Sequence, residues 1–299
     1  MGPVIQVAGI HDIEEAKLAI ESGANWLGIP LRLPSGKDDI SEEDTKHLIE
    51  QLGSQAKFVL ITYSSSTEEL TSLVKELNFD AVQLHGDISV EEVQALRDMN
   101  PSIQILKSLV VKQDNHSQLL STVREMEDVV DMFLTDTYNP DTGAKGATGL
   151  QHDLTVSKKI VESTRKPVII AGGLNPTNVA EAIAFVRPAG VDAHTGLEGK
   201  DGRKDRHLVE KFSEESRRQF KELDEELVEK AVQRSLINAS SQGVRGKAIT
   251  KFVMRAIDSE TDNRSQTANF DVMVEVVNAA AQIARSLKPE FFLDSVAKK

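Results

Sequence analysis

The sequence predicts a (β/α)8 barrel over residues 1–221, followed by a helical tail over residues 222–299. Three observations lead to this. Eight short apolar runs rich in β-branched residues alternate with eight amphipathic stretches, the pattern of buried parallel strands joined by helices. Sixteen of the 18 glycines and eight of the 9 prolines fall before residue 222, so turns are frequent there and scarce afterwards. A doubly wound sheet is the rival arrangement, but no glycine-rich dinucleotide fingerprint accompanies the alternation.

Taken in order, the strands are expected at Val4–Val7, Trp26–Ile29, Phe58–Ile61, Ala81–Leu84, Ile103–Leu106, Val130–Leu134, Val168–Ile170 and Val191–Ala193. The helices between them are expected at Ile13–Ser22, Ser41–Leu52, Thr67–Leu77, Ser89–Met99, Ser117–Met126, Thr155–Ser163, Thr177–Phe185 and Arg206–Phe220. Ser41, Thr67, Ser89 and the Pro176-Thr177-Asn178 run supply helix starts. The charge run Arg203-Lys204-Asp205-Arg206 reads as a solvated helix start. In the tail, Leu227, Val228, Ala231, Val232 and Leu236 recur at helical spacing within Leu223–Ser240. Two further helical patterns follow at Ala248–Ser259 and Ala268–Leu287.

Several function classes drop out early. The chain has no cysteine, which removes disulfides, thiolate zinc sites, iron–sulfur clusters and a cysteine nucleophile. Its net charge of −12 counts against a general nucleic-acid binder. Neither a signal peptide nor an apolar run long enough to span a bilayer is readable, so a cytoplasmic protein without membrane attachment is expected. The histidines form no zinc-spaced pair, and no metal or cofactor is expected.

In a barrel the reactive groups follow the strands. After strand 7 comes Gly172-Gly173, and after strand 8 Thr195-Gly196. Glycine turns at these two places match a phosphate cradle, in which main-chain amides approach an anion, although tight turns alone would also use them. Asp136, at the end of strand 6, is the candidate general acid, or else a loop cap. Gly146-Ala147-Thr148-Gly149 follows it, and Gly149 joins the expected phosphate contacts. Lys107 after strand 5 is expected to face a substrate oxygen or pair with a carboxylate. Gln83 and His85 follow strand 4 as polar groups at the mouth, though His85 alone could equally lie on the surface.

Gln83-Leu84-His85-Gly86-Asp87, Leu134-Thr135-Asp136-Thr137, Gly146–Gly149, Ala171–Val179 and Gly190-Val191-Asp192 together resemble the phosphoribosylanthranilate isomerase family over residues 3–212. The resemblance implies a barrel that holds a ribose phosphate and performs an Amadori rearrangement of an aminoaldose to an aminoketose. It puts Asp136 on the family's general acid and adds Asp192 to the substrate contacts. The family's general base is a cysteine in a Lys-x-Cys-Gly strand; here the strand reads Gln6-Val7-Ala8-Gly9, so Ala8 occupies that position. Where the family has an arginine for the anthranilate carboxylate, the chain has Asp38, with Arg32 as the nearest replacement cation. An altered phosphosugar substrate is therefore expected, with the general base unidentified; should the chain turn over the family substrate at an ordinary rate all the same, His11 is the first base to consider. The alternatives are a non-catalytic phosphometabolite-binding barrel, or a fusion connected with pseudouridine 5′-phosphate breakdown. The second of these arises because Gly243–Phe252, Ala268-Asn269 and Asn278-Ala279-Ala280 resemble the C-terminal end of pseudouridine-5′-phosphate glycosidase over residues 225–288. The catalytic lysine and metal-binding acid of that family are absent, and Asn269 reads as a helix-start residue. The tail is expected to serve as an assembly surface for a homo-oligomer.

Overall fold

The computed structural model describes residues 2–137 apart from 35 and 37, residues 153–221, 225–242 and a few positions between 244 and 255. Eight parallel strands close into one barrel in sequence order: β1 (Val4–Ala8), β2 (Trp26–Pro30), β3 (Lys57–Thr62), β4 (Ala81–Leu84), β5 (Gln104–Val111), β6 (Met132–Thr137), β7 (Val168–Ile170) and β8 (Gly190–Ala193). Between and after them run α1 (Ile13–Glu21), α2 (Glu42–Leu52), α3 (Thr67–Leu77), α4 (Val90–Met99), α5 (His116–Met126), α6 (Leu154–Ser163), α7 (Val179–Val186) and α8 (Arg206–Lys221). The expected barrel is thus observed, with most boundaries within two residues of those read from the sequence.

The larger differences fall where strands reach the mouth. β5 starts at Gln104 and continues to Val111, and β6 starts at Met132 and continues to Thr137. Their last residues include Ser108, Thr135, Asp136 and Thr137, polar groups that are nonetheless buried. Ser41 and Ser89 accept main-chain amides as expected N-caps, but α3 is capped by Ser66. Thr67 instead bonds to Glu92 of α4. Asn178 precedes α7 without capping it; its side chain bonds to Asn175 and Gly173 and braces the turn after β7.

Alternation along the strands sets which residues enter the barrel. Val4, Trp26, Val59, Ala81, Leu106, Met132, Leu134 and Ile169 form one buried apolar cluster. Stepping by two from these residues toward the C-terminal end reaches Ala8, Pro30, Ile61, Tyr63, Gln83, His85 and Asp136. The polar groups of the mouth therefore stand directly above the apolar layer.

The first and last units are also joined outside the sheet. Arg203 pairs with Asp12 and Glu15, and the Lys204 amide donates to Glu15 at 2.8 Å. Arg206 reaches Glu21 at 2.9 Å. The solvated helix start expected at 203–206 is corrected by these contacts: the Lys204 side chain is fully buried and bonds Glu198 at 2.8 Å.

Two compact units divide the chain, 1–219 and 220–299. In the second, α9 (Glu225–Ser241) buries Val232, Ser235 and Ala239 on one face. The motif residues Ala268-Asn269 and Asn278–Ala280, most of Gly243–Phe252, the expected helix Ala268–Leu287 and Gly149 lie outside the described residues, while the few described positions of the expected helix Ala248–Ser259 are helical. Among the described residues no helix is long and apolar enough to cross a membrane. Because the barrel closes upon itself before α9, a chain ending at residue 221 is expected to melt in one cooperative transition. An aggregating product without such a transition would mean that the tail completes the core.

Candidate functional site

A cavity of about 200 Å³ opens at the C-terminal end of the strands. Ala8, Gln83, His85, Asp136, Gly172, Gly173, Asp192, His194, Thr195 and Gly196 are among the residues that line it, so eight of the expected site residues come together.

Gly172 and Gly173 both have positive φ, 92° and 64°, which turns the chain sharply after β7. A 3-10 turn at Thr195–Leu197 follows β8. The two turns touch: a Cβ on Gly196 would lie 2.0 Å from the main-chain oxygen of Leu174. The amides of Gly173 and Leu174 have no acceptor among the described residues, leaving them available to an anion.

Titratable groups share the cavity with these turns. Asp136 is buried, and burial pushes its carboxyl up to about 7 against the pull of the Thr137 amide, which donates to it at 2.7 Å. Asp192 is pushed up to about 8 by burial and by Asp136, while Gln6 and Lys204 act the other way. His85 is buried, not superficial, and its Nε2 lies 3.8 Å from Asp136 Oδ2. Tyr63 packs edge-on against the His85 ring at 4.8 Å, and its hydroxyl is pushed up to about 12 by burial and by Asp136. Gln6 bonds to Gln83 at 2.9 Å and so orients that amide beneath the cavity.

Raised carboxyl values carry a cost in stability at neutral pH. Between the unfolded value of 3.8 and the folded values of about 7 and 8, the native state holds protons that the unfolded chain has released. Stability therefore falls as pH rises through that window, by up to about 1.4 kcal/mol per pH unit for each carboxyl. Asp192→Asn is expected to melt at a higher temperature than the parent at pH 8 and at a similar temperature at pH 4. Equal melting curves at both pH values would contradict the burial assigned to Asp192.

Two expected substrate contacts, Lys107 and Arg32, stand elsewhere. Lys107 is of the wrong parity to enter the barrel; its ammonium bonds to the carbonyls of Leu84, Gly86 and Ser108 and braces the loop below His85. Arg32 has a left-handed backbone (φ 52°), and its guanidinium is held by Glu42 and Glu69 at 2.8 and 2.7 Å, away from the cavity lining. Asp38 accepts the amides of Arg32 and Leu33, so its charge fastens the loop, and the neighbouring Asp39 lines the cavity instead. His11, the first base considered, lies between Glu15 at 3.0 Å and Asp39 at 3.6 Å and does not line the cavity.

Sequence reasoning missed Gln6, Tyr63, Asp39 and above all His194. The signal for His194 was available: it lies two residues beyond Asp192, with the same parity. No arginine or lysine lines the cavity among the described residues, whereas three aspartates do. Nor do these residues contain a group of three or more His, Asp or Glu arranged to hold a metal.

Residues 5–215 match the family model described as N-(5′-phosphoribosyl)anthranilate isomerase, and residues 215–286 match one described as indigoidine synthase A like protein. N-(5′-phosphoribosyl)anthranilate isomerase 2 of Methanosarcina mazei is 36% identical over 220 residues, covering 72% of this chain and 95% of the relative. The crystal structure of the Thermotoga maritima phosphoribosyl anthranilate isomerase superposes with a TM-score of 0.61 at 27% identity, covering 72% of this chain and 98% of that one. A further structure of such an isomerase, in complex with reduced 1-(o-carboxyphenylamino)-1-deoxyribulose 5-phosphate, superposes with a TM-score of 0.59 at 25% identity, covering 72% and 98%. A separate stretch of 77 residues is 99% identical to pseudouridine-5′-phosphate glycosidase of Corynebacterium aurimucosum, covering 26% of this chain. The chain spans only a quarter of the length of that glycosidase.

Proposed function

The chain belongs to the N-(5′-phosphoribosyl)anthranilate isomerase family through residues 5–215, and from that premise we propose that it is an aldose–ketose isomerase for a phosphoribosyl amine whose organic half carries no carboxylate. The observation that supports isomerase chemistry best is Asp136, a buried carboxyl with its pKa raised to about 7, lining the same cavity as the glycine turns. Such a group retains a proton near neutrality and can deliver it to a ring oxygen.

In this reading the amides around Gly172, Gly173, Thr195 and Gly196 hold the phosphate, and the ribose lies across the barrel mouth toward Asp136. Asp192 and Gln83 face the sugar hydroxyls, and His85 keeps a positive edge near the Asp136 carboxyl after its proton has left. The site needs no cofactor for this internal redox exchange, since C1 is reduced as C2 is oxidised.

The change of substrate follows from the charge around the cavity. Asp39, Asp136 and Asp192 line it, and Arg32 is already engaged by two glutamates. A substrate carboxylate would enter without a matching cation among the described residues. N-(5′-phosphoribosyl)aniline, which lacks the carboxylate, is expected to show a higher kcat/KM than N-(5′-phosphoribosyl)anthranilate. Preference for the anthranilate compound would restore the family substrate. Binding of both without turnover would leave the barrel a phosphometabolite-binding module.

For the tail, the reading is an assembly surface acting between copies of the chain. The whole protein is expected to have a larger mass in solution, in multiples of its own, than the chain ending at residue 221. Equal oligomeric states would remove that role.

A further inference from the structure

The proposed isomerisation lacks a group to take the C2 proton, because Ala8 has only a methyl. We infer that His194 is that general base, delivered from the neighbouring strand, with Glu198 as its positioning residue. This rests on the isomerase reading above.

The sheet register carries the inference. β1 and β8 are paired in parallel, with Gln6 opposite Asp192 and Val7 opposite Ala193. The next step in that register puts Ala8 beside His194. Gln6 and Asp192 both reach the barrel interior, so Ala8 and His194, two residues on, share their side. Both line the cavity.

The main chain has also made room for the ring. Gly9 follows Ala8 with a φ of 74°, and a Cβ there would lie 2.0 Å from His194 Nε2 and 2.5 Å from its Cδ2. The imidazole therefore rests on the Gly9 backbone, at the end of the strand from which relatives of the resembled type present their base.

One ring nitrogen is already committed. His194 Nε2 lies 3.2 Å from Glu198 Oε1. Glu198 is fixed in turn by Lys204, whose ammonium is buried and bonds the same oxygen at 2.8 Å. Although burial would raise it, the Glu198 carboxyl is held down to about 2 by His194 and Lys204, so it stays ionised. An ionised carboxylate on one nitrogen fixes the tautomer with the proton there and stabilises the imidazolium that forms when the other nitrogen accepts a proton. Nδ1 has no partner among the described residues and is the accepting atom. The other titratable groups around the cavity are Asp39, Tyr63, His85, Asp136 and Asp192.

The steps balance with these two groups alone. Asp136 gives its proton to the ring oxygen as the C1–O bond breaks and the nitrogen lone pair forms C1=N. His194 Nδ1 takes the C2 proton, the C2–H electrons form C1=C2, and the C=N pair returns to nitrogen. The imidazolium then protonates C1 while the C2 hydroxyl gives its proton to the Asp136 carboxylate, leaving the ketone. Both side chains end as they began.

The test is steady-state kinetics of the full chain on whichever of N-(5′-phosphoribosyl)anthranilate and N-(5′-phosphoribosyl)aniline it turns over. His194→Ala and His194→Asn are expected to lower kcat by about 10²- to 10⁴-fold while ribose 5-phosphate binding, measured by calorimetry, persists. Adding Ala8→Cys to His194→Ala is expected to recover at least tenfold of the loss. The acid-side limb of its pH profile should move upward toward the thiol range. Glu198→Gln is expected to lower kcat with little change in KM and to shift the same limb downward. If both His194 variants stay within threefold of the parent, or keep its acid-side limb, the assignment is overturned and the isomerase reading stands. If the parent protein turns over neither compound, the isomerase reading fails and takes the base assignment with it.

Discussion

Asp136→Asn is expected to lower kcat by about 10²- to 10⁴-fold, the usual worth of a positioned general acid. Asparagine keeps the volume and can still accept the Thr137 amide, so the turn after β6 should persist. It cannot deliver a proton as the C1–O bond breaks. In the parent protein, the proposed isomerase rate should decline as pH rises through about 7, because the carboxyl then loses the proton it must donate. The variant should lose that decline along with its activity. Its melting temperature at pH 8 should not fall, since replacing a buried carboxylate removes an ionisation that burial opposes. Full activity in Asp136→Asn, or an unchanged alkaline limb in its residual rate, would transfer the acid role to another group. Asp192 would be the first to examine, because its carboxyl is pushed up still further.

Gly196→Val is expected to weaken ribose 5-phosphate binding more than 100-fold. The first added carbon would fall 2.0 Å from the Leu174 carbonyl oxygen, a main-chain atom that can move only with its whole turn. The turns after β7 and β8 must then separate, and the amides aimed at one phosphate no longer converge. Hydrogen bonds to a charged group are worth roughly 1.5–3 kcal/mol each, so losing two costs at least about 3 kcal/mol, or 100-fold in Kd. The affected residues lie at the rim, above the apolar layer of the barrel, so cooperative melting should survive. Calorimetry with ribose 5-phosphate and a melting curve on the same sample separate the two effects. Unchanged affinity would mean that the phosphate is held elsewhere.

The barrel was legible because its signals are local. Runs such as Phe58–Ile61 and Val168–Ile170 are β-branched and short, and Ser41, Ser89 and Asp12 stand where helices begin. Strand ends were harder, since Ser108, Thr135 and Asp136 are buried yet polar: Lys107-Ser108 interrupts the apolar run of β5, and apolarity marks only the lower part of β6. Lys107 was assigned to the mouth from its position after a run read as ending at Leu106. Once β5 is seen to continue to Val111, its parity turns it away. Arg32 and Asp38 were read as free charges because their partners, Glu42, Glu69 and two loop amides, become neighbours only after folding. The His194–Glu198–Lys204 set was missed for a related reason. Its meaning depends on which strand lies beside β8, and closure of the barrel makes that strand β1.

That closure has a kinetic consequence. The ion pairs and bonds joining residues 12–21, at α1, to residues 203–206, at the start of α8, link positions 185 to 191 apart. Every other neighbouring pair of strands can form from a short stretch of chain, but this seam must wait for the two ends of the barrel to meet. It is then the last part of the wall to zip and the first to open. Weakening it at Arg203 or Glu15 should leave the refolding rate nearly unchanged and speed unfolding, because contacts absent from the transition state are felt on the way out. His194, the proposed base, stands on the same seam, so in that reading transient opening there would interrupt turnover long before the rest of the barrel unravels.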